Sequence, residues 1–243
     1  MKPYNHNSTK KQQVEQMFDN IAPRYDLLNR LLSLNIDRSW RKKLVRQLLI
    51  QSPSSVLDIA CGTGDLTIAI SKSLTKNPST VHSQIVGADL SPQMIKVAQG
   101  KFRKLSLDIP LHVADAEKLP FDDESFDAVT CAFGVRNFED LDKGLSQARR
   151  VIKQGGRIYV LEFSTPKASI FARLFKFYFH RILPPIAGFI SKDRKAYTYL
   201  PQSVDEFPST EAFCEILKQL GFENCTARPL TFGVATLYIG EKR

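Results

Sequence analysis

The sequence predicts a doubly wound α/β fold. Three observations predict it. Short apolar runs alternate with stretches of helical period between Ser55 and Phe163, and the first run opens into a glycine-rich turn. Acidic residues then recur at the ends of three successive runs. Strands alternating with helices make a mostly parallel sheet with helices on both faces.

The chain has 243 residues, 43% of them hydrophobic, enough for one domain with a proper core. Residues 1–11 are polar and basic, with little apolar surface to bury, and are expected to be disordered. They lack the apolar stretch of a signal peptide. Residues 12–243 are expected to form a single domain, and residues 12–50 read as its N-terminal helical cap. Val14, Met17, Phe18 and Ile21 recur at helical spacing, as do Leu44, Val45, Leu48 and Leu49, and Pro23 punctuates the first segment.

Ser55–Ala60 is the first strand, followed by the glycine turn and a helix from Asp65 to Leu74. Gln84–Asp89 is the second strand. Ser91 and Pro92 open the next helix as N-cap and first helical residue. Pro110–Ala114 and Phe126–Phe133 are the third and fourth strands, Leu141–Ile152 a helix, and Gly156–Phe163 the fifth strand. Thr210–Leu220 is an amphipathic helix. Phe222–Pro229 and Val234–Glu241 are strand-like and predict a closing antiparallel hairpin. Residues 164–208 form an insert rich in aromatics, lysine and arginine, expected to be helical and to face substrate or lipid.

The net charge is +9, which admits solubility, an anionic substrate, nucleic acid or an acidic membrane surface. Lysines and arginines are distributed rather than gathered into a tract with stacking aromatics, so nucleic acid is not expected. Cys61, Cys131, Cys214 and Cys225 form no C-x-x-C pair, and His6, His82, His112 and His180 lack metal-ligand spacing. No metal is expected, and a reduced, cytoplasmic setting fits. No run of about 18 apolar residues exists to span a membrane.

In a doubly wound sheet, ligands bind outside the carboxyl ends of the strands. The acids fall there: Asp58 through Asp65 after the first strand, Asp89 after the second, Asp115 after the third. Gly62 and Gly64 remove side chains where the backbone turns tightly against a ligand. Asp89 suits ribose hydroxyls, and Asp115 an exocyclic amine with the Ala116 backbone reading the ring edge. A dinucleotide site needs G-x-G-x-x-G or G-x-G-x-x-A, whereas this chain has Thr67 at the third position and Asp65 at the helix start. An acid there is poor company for a pyrophosphate and suits a ligand with a positive amino group and a sulfonium. For one carboxylate alone, a helix cap is the simpler reading. Three strand ends in agreement favour a ligand site.

The string Val56–Thr67 resembles the first motif of class I methyltransferases, and Asp115–Phe121 and Phe126–Val129 resemble their later motifs. The flanks narrow the resemblance. Ala22–Asn29, Ser33–Trp40, Phe133-Gly-Val-Arg-Asn137, Arg150–Arg157, Leu161–Ser164, Tyr197–Leu200 and Leu230–Val234 together resemble the menaquinone and ubiquinone biosynthesis C-methyltransferases. The resemblance implies a Rossmann-like class I sheet, S-adenosyl-L-methionine as cofactor, and methylation of a ring carbon of a prenylated quinol. By position it puts cofactor contacts on Thr63, Asp89, Asp115 with Ala116, and Ala132, where the family often has Ser. Asp37 and Tyr238 depart from the family's His at both positions.

The same resemblance implies a quinolate nucleophile. Arg136 is the first candidate to stabilise its oxygen, because a guanidinium is permanently protonated and not a base. Asn137 is the candidate to orient that oxygen. Tyr25 with Asp26, His180, or a water held by Arg136 are candidates for the base. The plainer readings are an ion pair of Arg136 with Glu139 or Asp140, core packing for Tyr25, and a surface histidine at 180. Phe171–Leu183 combines aromatics with Lys176, His180 and Arg181 on one helix face. It is expected to meet a prenyl chain or an anionic membrane, which places the protein at the inner face of the cytoplasmic membrane. Methylation of another small molecule or RNA, or a non-catalytic role in a membrane-associated assembly, are the alternatives.

Overall fold

The computed structural model describes residues 2–4, 7–33, 35–164, 166, 173, 177, 181 and 194–243. Its elements are α1 (Lys10–Ile21), α2 (Tyr25–Leu32), α3 (Ile36–Leu49), β1 (Ser55–Ile59), α4 (Asp65–Leu74), β2 (Gln84–Asp89), α5 (Pro92–Lys104), β3 (Leu111–Val113), β4 (Phe126–Ala132), α6 (Leu141–Val151), β5 (Ile152–Phe163), α7 (Arg194–Glu206), α8 (Thr210–Gln219), β6 (Phe222–Leu230) and β7 (Ala235–Lys242). The seven strands form one sheet in the order β3-β2-β1-β4-β5-β7-β6. Pairs among β1 to β5 are parallel, and β7 runs antiparallel between β5 and β6. The doubly wound expectation and its antiparallel closing hairpin both hold.

Successive strand residues face opposite sides. Leu57, Ile59, Val129, Cys131, Ile158 and Val160 therefore pack with Leu145, Ala148, Phe213 and Leu217 of α6 and α8. Their neighbours Val56, Ala128, Tyr159, Leu161 and Leu237 pack with Leu44, Leu48, Leu66 and Ile70 of α3 and α4. Burial on both faces is why the strands read as continuous apolar runs.

Two boundaries differ from the sequence reading. β5 begins at Ile152, directly after α6, because Ile152 already pairs with Phe126. The register slips before Ala128 meets Arg157, and Gly155 (φ +75°) lies within the slipped stretch. Lys153–Gly155, which the sequence reading left between helix and strand, are a bulged part of one continuous strand.

The N-terminus is the second correction. The first 11 residues carry fixed structure where they are described: Tyr4 is buried and its N–H donates to Gln13 Oε1 (2.8 Å). The α1 helix starts at Lys10, behind a capping box in which Thr9 Oγ1 accepts the Gln12 N–H (3.2 Å) and Gln12 Oε1 accepts the Thr9 N–H (3.1 Å). Val14, Met17 and Ile21 of α1 pack with Leu28 of α2, Met94 of α5 and Tyr199 of α7, forming a third cluster above the carboxyl edge of the sheet. Of the 164–208 insert, α7 is described. The predicted helix Phe171–Leu183, with His180, lies outside the described residues apart from Arg173, Phe177 and Arg181.

Removing an N-cap acceptor costs about 1 kcal/mol. Thr9→Ala is therefore expected to speed amide hydrogen exchange in α1 about fivefold; unchanged exchange at Val14 and Met17 would show that the cap does not hold this helix.

Candidate active site

A cavity with about 670 Å³ of empty space, open solvent included, lies at the carboxyl edge of the parallel strands. Its floor comes from four strand ends: Ala60 and Gly62 after β1, Asp89 and Leu90 at β2, Asp115 and Ala116 after β3, and Ala132 and Phe133 at β4. Its roof is α1 with Lys11, Val14 and Phe18, joined by Tyr25 at the start of α2.

Gly62 has φ +57°, and a Cβ there would lie 4.0 Å from the Tyr25 ring, projecting into the cradle between turn and roof. Asp89 holds the turn in place: Oδ2 accepts the Gly62 N–H (2.7 Å) and Oδ1 accepts the Ser91 N–H (2.9 Å). Burial pushes its carboxyl up to about 6. Each oxygen retains room for a second donor. Asp115 accepts the Glu117 N–H on Oδ1 (2.9 Å) and the Lys11 ammonium on Oδ2 (2.8 Å), which ties the roof to the floor. Asn137 is buried in the cavity wall. Its Nδ2 reaches the Phe133 carbonyl (3.4 Å), and its Oδ1 has no hydrogen-bond partner.

Four predicted cofactor residues already have partners within the protein. Asp58 is buried with both oxygens taken, accepting from Thr67 Oγ1 (2.6 Å) and Thr130 Oγ1 (2.7 Å). It braces β1 against α4 and β4 behind the cavity. Gly64 (φ +78°) gives its missing Cβ position to the Phe102 ring, 2.6 Å away, so it serves the packing of α4 on α5. Thr63, which the resemblance places on the cofactor, is buried and donates to Asp26 Oδ1 (2.5 Å). Asp65 pairs with Lys101 and Arg41 rather than facing a ligand's positive charge.

The catalytic candidates separate likewise. Asp26 is held by Thr63 and by Lys101 Nζ (2.8 Å), which occupies it as a base. Tyr25 lines the cavity, and burial raises its phenol, so it remains a protonated donor. Arg136 pairs with neither Glu139 nor Asp140. Its Nη1 donates to Glu162 Oε1 (2.7 Å) at the end of β5 and to the Phe133 carbonyl (2.5 Å). The guanidinium lies 5.5 Å above the centre of the Phe163 ring, and its buried Nε has no partner. His180 lies outside the described residues. Sequence reasoning missed Lys11 and Glu162. An acid at the tip of β5 was the available signal for Glu162; Lys11 became visible only once the roof was placed.

The donor set fits S-adenosyl-L-methionine. A buried carboxyl at Asp89, a half-buried one at Asp115, an amide oxygen unpartnered among the described residues and a side-chain-free cradle can receive a molecule rich in N–H, O–H and positive charge. The profile of the ubiE/COQ5 methyltransferase family matches residues 6–242. This chain belongs to that family. It is an S-adenosylmethionine-dependent C-methyltransferase. A demethylmenaquinone methyltransferase of Deinococcus radiodurans is 44% identical over 99% of this chain and 97% of its own length. A ubiquinone/menaquinone biosynthesis C-methyltransferase of a Geobacter strain is 47% identical over 97% of this chain and 98% of its own. In fold, the methyltransferase resembles a SAM-dependent methyltransferase from Thermotoga maritima, with a TM-score of 0.62 at 19% identity, covering 94% of this chain and 99% of that one.

The brace at Asp58 predicts a pH dependence. Burial lifts its carboxyl from 3.8 to about 6, so the folded chain holds that proton more tightly than the unfolded chain. The resulting stability is complete below about pH 4 and is lost as pH rises through about 6. Asp58→Asn removes this dependence. In urea unfolding the variant should gain on the native chain by up to about 3 kcal/mol between pH 4 and pH 7. A difference constant with pH would show that Asp58 does not titrate there.

Proposed function

We propose that the enzyme methylates a ring carbon of a reduced, prenylated quinone precursor, with a demethylmenaquinol-type naphthoquinol as first acceptor and a ubiquinone precursor as a second. The names of the relatives at 44% and 47% identity support this. The observation that carries it is the place of Arg136. This side chain lines a second cavity, with about 610 Å³ of empty space, that shares Phe138 and Glu139 with the first. Leu141, Tyr199 and Phe207 give this second cavity one apolar wall, while Lys10, Arg136, Glu139, Ser203 and Glu206 make the rest of it polar and charged. A permanently charged guanidinium beside an apolar wall suits a ring that carries a greasy tail and acquires an anionic oxygen.

A phenol ring carbon is a weak nucleophile until a hydroxyl on the ring ionises and spreads charge onto it. S-adenosylmethionine supplies the electrophilic methyl group. Arg136 stabilises the quinolate oxygen in a setting of low dielectric, where a fixed charge acts strongly. Asn137 orients the acceptor beside the cofactor. Tyr25 stays protonated and Asp26 is engaged, so water held at Arg136 takes the quinol proton on to solvent, with His180 as the alternative acceptor. The roof of α1 and Tyr25 excludes bulk solvent and holds the two reactants at near-attack distance.

Transfer of a labelled methyl group to a short-chain demethylmenaquinol, run beside the matching benzoquinol, tests the assignment; no transfer to either ring would overturn it. Arg136→Ala should lower turnover about 100-fold or more and change binding of S-adenosylhomocysteine less than about threefold. Equal loss in both would reject the role given to Arg136. The same reading has residues 164–208 touch an anionic membrane and hold the prenyl tail. Flotation with liposomes should recover the enzyme only when anionic lipid is present, and recovery independent of lipid charge would remove that contact.

A further inference from the structure

Glu162 is fully buried at the tip of β5, and burial pushes its carboxyl up while Arg136 pulls it back. Such a group is expensive to place. A buried ion pair roughly breaks even against apolar residues of the same size, so stability alone is a poor account of it. Its geometry is more informative. Oε1 accepts Arg136 Nη1 (2.7 Å) and the Phe163 N–H (2.8 Å), and Oε2 faces the Arg136 backbone N–H (3.4 Å). One carboxylate therefore grips Arg136 at both its backbone and its guanidinium, and anchors both to β5. The Phe133 carbonyl takes Nη1 as well. Both recorded side-chain bonds of Arg136 thus fall on a single nitrogen. Nε, on another edge of the same planar fork, is buried and unspent.

We propose that Glu162 is a positioning residue for methyl transfer, holding the Arg136 guanidinium at the wall of the second cavity so that its charge meets the quinol oxygen. This rests on the reading that Arg136 stabilises the quinolate. Glu162 itself does not touch substrate, because its carboxylate is enclosed by β5, Arg136 and Phe163. Among the described residues, the charged and titratable groups near Arg136 include Lys10 from α1, Tyr25 from α2, Glu139 just after its own turn, Tyr199 and Glu206 from α7, and Glu162 from β5. Glu162 is the one paired with its guanidinium.

The sign of a pH effect separates positioning from charge balance. If Glu162 merely offset the positive charge, its neutralisation would leave Arg136 in place with a stronger field. Quinol ionisation would become easier, and the acidic limb of the turnover profile would move to lower pH. If Glu162 aims the guanidinium, its loss withdraws that field from the oxygen, and the limb moves to higher pH while turnover falls. A misplacement of about 1 Å can cost up to about 100-fold.

The experiment measures turnover against pH for the native enzyme, Glu162→Gln and Glu162→Asp, with a reduced short-chain prenyl naphthoquinol as acceptor. Binding of S-adenosylhomocysteine is followed by calorimetry. Glu162→Gln should lose at least about tenfold in turnover, shift the acidic limb upward, and bind the product within about threefold of native. Glu162→Asp, which keeps the charge one methylene short, should recover part of both changes. An unmoved limb, a downward shift or native turnover would each overturn the proposal. Should Glu162→Gln fail to bind the product, Glu162→Asp is judged against the native enzyme by the same criteria. Arg136→Lys separates the two readings. Native turnover in that variant brings down both, whereas an impaired Arg136→Lys beside a native Glu162→Gln brings down only the role of Glu162.

Discussion

A carboxyl group taken out of water must find donors, and this requirement organises the upper edge of the sheet. Asp58, Asp89, Asp115 and Glu162 lie at or just beyond the tips of four parallel strands. Each meets its need with groups from a different neighbour. Asp58 draws in the hydroxyls of Thr67 and Thr130. Asp89 draws in the backbone of the glycine turn and of the following helix start. Asp115 draws in Lys11 of the roof, and Glu162 draws in Arg136. An unpaired buried charge would cost several kcal/mol. The loops around the cavity are thus held by the hydrogen-bonding needs of four acids as well as by the apolar cluster of the roof.

The roof depends on the same logic at longer range. A chain of charges runs from Asp37 through Arg41, Asp65 and Lys101 to Asp26, and ends on the Thr63 hydroxyl beside Gly62. It links α3, α4, α5 and α2 to the first strand's turn. Singly, exposed pairs of this kind contribute little. As a partly buried network they fix where Tyr25 sits relative to the cradle. Asp37 anchors the far end of this network: it is buried, pairs with Arg41, and accepts from Ser33 Oγ (2.6 Å).

The fold was legible because periodicity and glycine chemistry are local. Apolar runs bounded by Ser91-Pro92 or by the Gly62 turn carry their own boundaries, and three strand-end acids mark the cavity's edge. The side-chain partners were less legible, because they depend on contacts distant in sequence. Asp58 and Asp89 look alike in the sequence, yet one braces the core and the other faces the cavity. Gly62 and Gly64 stand two residues apart, and only Gly62 faces the cavity. Arg136 has acids three and four residues ahead of it but turns to Glu162, because the short helical turn at Val135–Asn137 points its side chain back toward β5. The start of α1 was hidden for another reason. Composition registers few apolar residues before Lys10, and one buried tyrosine with one capping box is enough to fix a segment that composition marks as loose.

The place of β7 has a consequence for how the molecule is made. This strand lies between β5 and β6 yet follows both in the chain. During synthesis β5 therefore emerges with one edge bare, and β6 emerges before its neighbour, since β7 is its strand partner among the described residues. Bare edges recruit other chains. The nascent polypeptide must keep them apart until the ribosome delivers residues 235–242, so the last strand acts as the closing wedge of the sheet. Before its arrival, the bare edge of β5 is open to pairing with another chain.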